Sequence, residues 1–120
     1  MAYEIEFSSQ CQRDLSLIHD YLIESYQSFG ESPKEAFDHA SLRLFEIIEK
    51  AEDLTLFPLR GTMRDDIRPG IRFVALNQTI YWFSADEARG KVTIYAIFMG
   101  KQNHIHHMLA RLLDAGESAD

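Results

Sequence analysis

The sequence predicts an α+β fold in the order β-α-α-β-β-β: an N-terminal helical hairpin packed on an antiparallel sheet, with a short C-terminal helix. Three observations predict it. Two amphipathic stretches adjoin at Gly30 to Ser32, the apolar spacing changes from helical to alternating after Pro58, and the turn sequence Arg68-Pro69-Gly70-Ile71-Arg72 stands at that change. A chain of 120 residues, 46% hydrophobic and 12% aromatic, can bury one core without metal or disulfides. We expect one domain over residues 1–113 and a frayed acidic tail over 114–120.

Tyr3-Glu4-Ile5-Glu6-Phe7 alternates apolar and charged side chains, the period of a half-buried strand, with Tyr3, Ile5 and Phe7 toward the core. Ser9 and Gln12 fit a capping box, and Cys11, Leu15, Ile18 and Leu22 follow at helical spacing; Tyr21, Tyr26 and Phe29 widen that apolar surface before Gly30 stops the helix. The second helix starts at Ser32-Pro33-Lys34-Glu35, where serine caps, proline suits the first helical position and Glu35 closes a capping box. Its stripe is Phe37, Ala40, Leu44, Ile47, Ile48 and Ala51, and it fades near Leu54. Strands are expected at Ile71 to Leu76, Thr79 to Ser84 and Lys91 to Met99, with Asn77-Gln78 as a tight turn. Ile105, Met108, Leu109 and Leu112 then space a short helix from His104 to Leu113.

The formal net charge of −7 argues against broad attraction to nucleic acid or anionic membrane. Its distribution is uneven: residues 1–53 carry a net −8, residues 54–113 a net +4, and residues 114–120 a net −3. Half of the arginines, Arg60, Arg64, Arg68 and Arg72, fall within 13 residues. An anionic partner should meet the protein there, unless Asp65 and Asp66 simply pair with a solvated loop. The single cysteine, Cys11, cannot form an intramolecular disulfide, and the start of the chain has no leader pattern, so the cytoplasm is the expected compartment. No apolar run approaches the roughly 20 residues that span a bilayer.

Conventional enzyme motifs are missing: there is no P-loop, dinucleotide fingerprint, His-Glu-x-x-His or cysteine pair. His104, His106 and His107 form the densest histidine cluster, but no Asp, Glu or Cys stands near to complete a metal site, so surface or partner-contacting histidines are the better reading and no metal is expected. His19 and His39 read as ordinary helix-surface residues. Asp65 and Asp66, adjacent and beside arginines, read as structural. Tyr81, Trp82, Phe83 and Tyr95 could stack on a base, but alternating aromatics in central strands are mainly core.

Several segments together resemble the ParE toxins of the RelE/ParE superfamily. They are Leu56-Phe57-Pro58-Leu59-Arg60-Gly61-Thr62-Met63-Arg64, Asp66-Ile67-Arg68-Pro69-Gly70-Ile71-Arg72, Ile80-Tyr81-Trp82-Phe83, Val92-Thr93-Ile94-Tyr95-Ala96-Ile97, Phe98-Met99-Gly100-Lys101-Gln102-Asn103 and His107-Met108-Leu109-Ala110-Arg111-Leu112. The resemblance implies the toxin of a type II toxin-antitoxin pair, neutralised by a ParD-like antitoxin and poisoning DNA gyrase by binding. It implies no catalytic residue, no cofactor, no membrane and no sequence-specific nucleic-acid binding by the chain alone. On this reading Arg60, Arg64, Arg68 and Arg72 receive an acidic antitoxin segment, and Lys101, His104, His107 and Arg111 face the target. The superfamily's RelE-like branch, which cleaves mRNA in the ribosome, would instead use Arg72, Lys101, His104 and His107 catalytically. This sequence departs from that branch, with Lys101 and Gln102 where an arginine is usual and no tyrosine after Tyr95. A ParE-like scaffold that binds its antitoxin without being toxic is the third reading.

Overall fold

The computed structural model describes residues 3–100 and 103–118, with side chains through Leu113. In chain order the elements are β1 (Glu4–Phe7), α1 (Ser9–Ser28), α2 (Pro33–Glu52), a 3-10 turn at Asp53–Thr55, β2 (Thr62–Met63), β3 (Arg72–Leu76), β4 (Thr79–Asp86), β5 (Lys91–Met99) and α3 (His104–Ser118). The five strands form one sheet in the order β1-β5-β4-β3-β2.

Local chemistry accounts for most of the boundaries. Ser32 accepts from the Glu35 amide at 3.2 Å while Glu35 accepts from the Ser32 amide at 2.9 Å, so the expected capping box at α2 forms and Pro33 follows it. At α1 the cap is one residue earlier than expected. Ser8, not Ser9, accepts from the Cys11 amide at 3.1 Å, and Gln12 donates to the Phe7 carbonyl at 3.0 Å. Ser8 is selected because its own amide already donates to the Ile94 carbonyl at 3.0 Å, which ties the end of β1 to the sheet. Asn77 and Gln78 both take positive φ, 52° and 67°, as a two-residue hairpin with right-handed strand twist requires.

The sheet is mixed rather than wholly antiparallel. β2 to β5 pair antiparallel, but β1 runs parallel to β5, Glu4 opposite Lys91 through Phe7 opposite Ile94. The helical hairpin and β2 to β4 intervene between these two strands, a connection long enough to return the chain in the same direction. Alternation along β1 shows its buried face and carries no information about its partner's direction.

The two faces of the sheet carry separate core clusters, and a bulge in β5 shifts which of its residues serve each. Trp82 pairs with Ala96 and Phe83 with Ile94, leaving Tyr95 as the extra residue, so Tyr95 and Ala96 both pack toward one face. On one face Tyr81, Phe83, Val92, Ile94 and Ile97 pack against Cys11, Ile18 and Leu22 of α1 and Ala40, Ile47 and Ala51 of α2. On the other, Ile71, Ile80, Trp82 and Ala96 pack against Met108 of α3, with Ile67, Phe73, Tyr95, Phe98 and Leu112 around them. Strict period-2 reading of β5 misassigns the residues after Ile94 because the bulge resets the alternation.

Phe37 does not join the buried stripe expected of α2; Ala36 takes its place, and Phe37 is exposed together with Tyr21 and Phe29. His19 and His39 are more than surface residues: His19 bonds Ser41 at 3.0 Å, and His39 stacks on Tyr26 with ring centroids 3.7 Å apart, so both bridge α1 and α2. Burial pushes the Cys11 thiol up to about 12, which leaves it protonated and unreactive at neutral pH. Tyr81 donates to the Ile47 carbonyl at 2.8 Å from within the core. Tyr81→Phe should therefore lower unfolding free energy by about 1 kcal/mol with unchanged m-value in urea, the ordinary worth of one buried hydrogen bond.

Candidate functional site

The segment between the hairpin and β3 is built by backbone geometry. Leu54 is fully buried and anchors its start. Gly61, at φ +88°, runs against β3, where an added Cβ would stand 2.5 Å from the Phe73 carbonyl oxygen. β2 then pairs with Arg72 and Phe73, and Arg64 donates its amide to the Ile71 carbonyl at 2.8 Å. Pro69 and Gly70 occupy the centre of a turn closed by the Ile71 amide on the Arg68 carbonyl at 3.1 Å, with Gly70 at φ +81°. Proline followed by a positive-φ glycine is the composition of a type II turn. Asp65 accepts from the Gly70 amide at 2.8 Å, and buried Ile71 ties the turn to the sheet.

Four arginines on this frame are in four different situations. Arg64 forms a two-pronged pair with Asp66, at 2.9 and 2.8 Å, and that hydrogen bond holds the Asp66 carboxyl below its ordinary range. Arg68 lies over the Tyr95 ring, 4.8 Å from its centroid. Arg72 is turned back into the loop, donating to the Leu59 carbonyl at 2.8 Å. Arg60 is exposed and has no ion pair among the described residues. The structure thus leaves Arg60 and Arg68 as the outward cations, with Arg64 partly neutralised and Arg72 holding the loop.

Large apolar side chains stand exposed beside them. Leu56 is 70% and Phe57 66% exposed, and Leu59 and Met63 are also outward. Elsewhere, Leu17, Ile18, Tyr21 and Met99 line a shallow apolar groove.

The C-terminal candidates separate. His104, expected on a target-facing surface, is buried: its Nδ1 accepts from the Trp82 indole at 3.2 Å and its ring packs on Phe73. Arg111, also expected to face the target, is turned inward, with Nη1 and Nη2 on the two Asp14 oxygens at 2.7 and 2.6 Å and Nη1 near the Tyr95 carbonyl. Both lie inward for one reason: α3 packs on the sheet, so positions 104, 108 and 111 share its inward side. His107 is exposed, as are His106, Ile105 and Leu109, while Lys101 lies outside the described residues. Among the described residues no group of three or more His, Cys, Asp and Glu could hold a metal ion.

Asp14 is the residue that sequence reasoning passed over. It is buried, and besides Arg111 it accepts from the Ile97 amide at 3.1 Å. β1 pairs only with the first four residues of β5, so among the described residues no strand lies beside this edge of β5 beyond Ile94. Ser8, Asp14 and Arg111 satisfy that edge instead, at the Tyr95 carbonyl and the Ile97 amide. The available signal was position: Asp14 lies three residues after Cys11 and four before Ile18, a charge on the buried stripe.

No protein-family model matches the chain, and no curated protein matches its sequence. Solved structures do match. The fold is similar to a chain of the chromosomal ParDE toxin-antitoxin system of P. aeruginosa, with TM-score 0.58 and 18% identity over 83% of this chain and 98% of that one. It is also similar to a chain of the toxin-antitoxin complex RelBE2 from Mycobacterium tuberculosis, with TM-score 0.54 and 17% identity over 82% of this chain and 99% of that one. These likenesses establish the expected α+β architecture.

Proposed function

We propose that this chain is the toxin of a type II toxin-antitoxin pair, a ParE-like poison of DNA gyrase held inactive by a ParD-like antitoxin and acting in the cytoplasm. The observation that carries the antitoxin half of this reading is the surface from Leu56 to Arg68. Exposed Leu56, Phe57, Leu59 and Met63 interleave there with outward Arg60 and Arg68. Such a surface suits a partner segment that alternates apolar and acidic side chains, and charge complementarity would speed its capture. The shared architecture with chains of two toxin-antitoxin complexes supports the same reading.

The choice of a binding poison over an endoribonuclease rests on the commitments of the candidate catalytic groups. Arg72 donates to the Leu59 carbonyl and His104 accepts from Trp82, so two of the candidate groups for RNA cleavage already have partners within the protein. His107 remains outward for contact with a target, as do Ile105 and Leu109 beside it.

Expression without the antitoxin should arrest growth. Purified protein should inhibit gyrase supercoiling and accumulate cleavage complexes, while leaving mRNA intact on ribosomes in a parallel assay. Ribosome-dependent cleavage abolished by Arg72→Ala would overturn the gyrase reading, and absence of arrest would favour a non-toxic scaffold. Arg60→Glu combined with Arg68→Glu should weaken antitoxin binding about tenfold or more and flatten its salt dependence. Arg64→Glu alone should do less, because Asp66 already offsets that charge. Titration at two salt concentrations measures both, and unchanged affinity in the double variant would sink the arginine assignment.

A further inference from the structure

We propose that the contact between Trp82 and His104 is a pH-sensitive clasp, holding the first turn of α3 on the sheet at neutral pH and releasing it in mild acid. This inference does not depend on the toxin reading. The indole Nε1 donates to His104 Nδ1 at 3.2 Å, which requires Nδ1 to be unprotonated. The imidazole is flanked by the Phe73 ring at 4.8 Å and the Trp82 ring at 5.6 Å, beside the cluster of Ile71, Ile80, Ala96 and Met108, and His104 also lines a shallow groove with Asn103, Ile105, His106 and Leu109. Protonation would set an N–H against the indole N–H and place a charge in this apolar site, with both donors left unpaired.

Among the described residues, none supplies the imidazolium with a counter-charge. In the segment before β3, Arg64 is positive and its partner Asp66 is bound by both oxygens. In the turn, Arg68 is a second cation, lying on Tyr95 of β5. β3 and β4 present the Phe73 and Trp82 rings. On α3, among the described side chains, the other ionisable groups are His106 and His107, both exposed, and Arg111, whose partner Asp14 on α1 is bound by both oxygens. His104 also opens α3, where the helix dipole places partial positive charge. Burial first, and the field of Arg64 second, lower the His104 pKa from its ordinary value of 6.5.

The direction of the response follows. With the clasp open, His104 takes up a proton near its ordinary pKa; docked, it does so only at lower pH. Between those two values each unit of acidification raises the ratio of open to docked forms by up to roughly tenfold, and above them the clasp is insensitive to pH. The Arg111–Asp14 pair lies seven residues along α3 and involves no histidine, so it pins the helix while the first turn leaves. What opens is the apolar sheet face around Trp82, beside Arg64 and Arg68.

Trp82 is the only tryptophan in the chain, so its fluorescence reports this contact directly. The full-length protein at micromolar concentration should be titrated from about pH 8 to about pH 4.5. Its emission should shift to the red and its acrylamide quenching should rise, reversibly, with a midpoint below the ordinary histidine pKa and little change in far-UV circular dichroism. His104→Gln, which can still accept from the indole but cannot titrate, should hold the neutral-pH emission throughout, and His107→Gln should behave as wild type. If His104→Gln is red-shifted at every pH, the decision passes to NMR of the wild type, where the protection factor of the Trp82 indole N–H should fall in step with titration of the His104 ring. A wild type that shows no transition, a His104→Gln variant that follows the wild-type curve, or an indole N–H that stays protected through the His104 titration would each overturn the clasp.

Discussion

Asp14→Ala should lower the unfolding free energy by about 3 kcal/mol and the melting temperature by on the order of 10 °C. The carboxylate is buried and meets three donors: both terminal nitrogens of Arg111 and the Ile97 amide. Removing it leaves a poorly solvated guanidinium without its counter-charge and a main-chain N–H at the uncovered edge of β5 without an acceptor, and the second loss is absent from an ordinary surface ion pair. Asp14→Asn should cost less, since its side-chain oxygen can still serve Ile97. Arg111→Met keeps apolar contact with Phe98, over whose ring the guanidinium now lies at 5.4 Å. The Asp14→Ala, Arg111→Met double variant should lose clearly less than the sum of the two single changes, because the unpaired charge is gone. Urea unfolding of the four proteins completes the cycle. Additive losses would show that the pair does not couple α1 to α3.

Gly61→Ala should cost about 3 kcal/mol, from two sources that a single methyl group brings together. At φ +88° an L-residue is strained by about 1–2 kcal/mol whatever surrounds it. The added Cβ would also stand 2.5 Å from the Phe73 carbonyl oxygen, a backbone atom held by the sheet. Relief requires Gly61 to lift away from β3, which breaks the short pairing of Thr62 with Phe73 and loosens the segment that carries Arg60 and Arg64. Gly70→Ala is the informative comparison: its φ is similarly positive, at +81°, but nothing stands within 4 Å of the added carbon. Only backbone strain should be felt there. Denaturant midpoints that rank Gly61→Ala no worse than Gly70→Ala would show that close approach to β3 contributes nothing.

Partner affinity should separate these variants further. Gly61→Ala disturbs the position of outward Arg60, whereas Asp14→Ala acts at the opposite edge of the sheet. A folded Gly61→Ala protein is therefore expected to lose antitoxin affinity beyond its loss of stability.

Much of the fold was legible because its signals are local. The Ser32-Pro33-Lys34-Glu35 start of α2, the Asn77-Gln78 hairpin and the Pro69-Gly70 turn each depend on residues within a few positions of one another, and each forms as read. The candidate site was legible to a smaller extent. Asp66 as a local partner for an arginine was foreseeable, but which arginines stay outward was not, since that depends on the Leu59 carbonyl for Arg72 and the Tyr95 ring for Arg68. The cap of α1 was misplaced by one residue for a similar reason, with Ser8 chosen by its bond to Ile94 across the sheet.

By itself, then, the sequence determined the α+β class, the two helices of the hairpin, the three long strands and the turn from Arg68 to Arg72, because periodicity and turn chemistry act over a few residues. Tertiary structure alone decided the parallel seat of β1, the inward turn of Arg111 onto Asp14 and the burial of His104 against Trp82. Those choices are made between groups 97 and 22 positions apart in the latter two cases, and their outcome depends on which edge or face of the sheet lacks a partner once the other elements have docked.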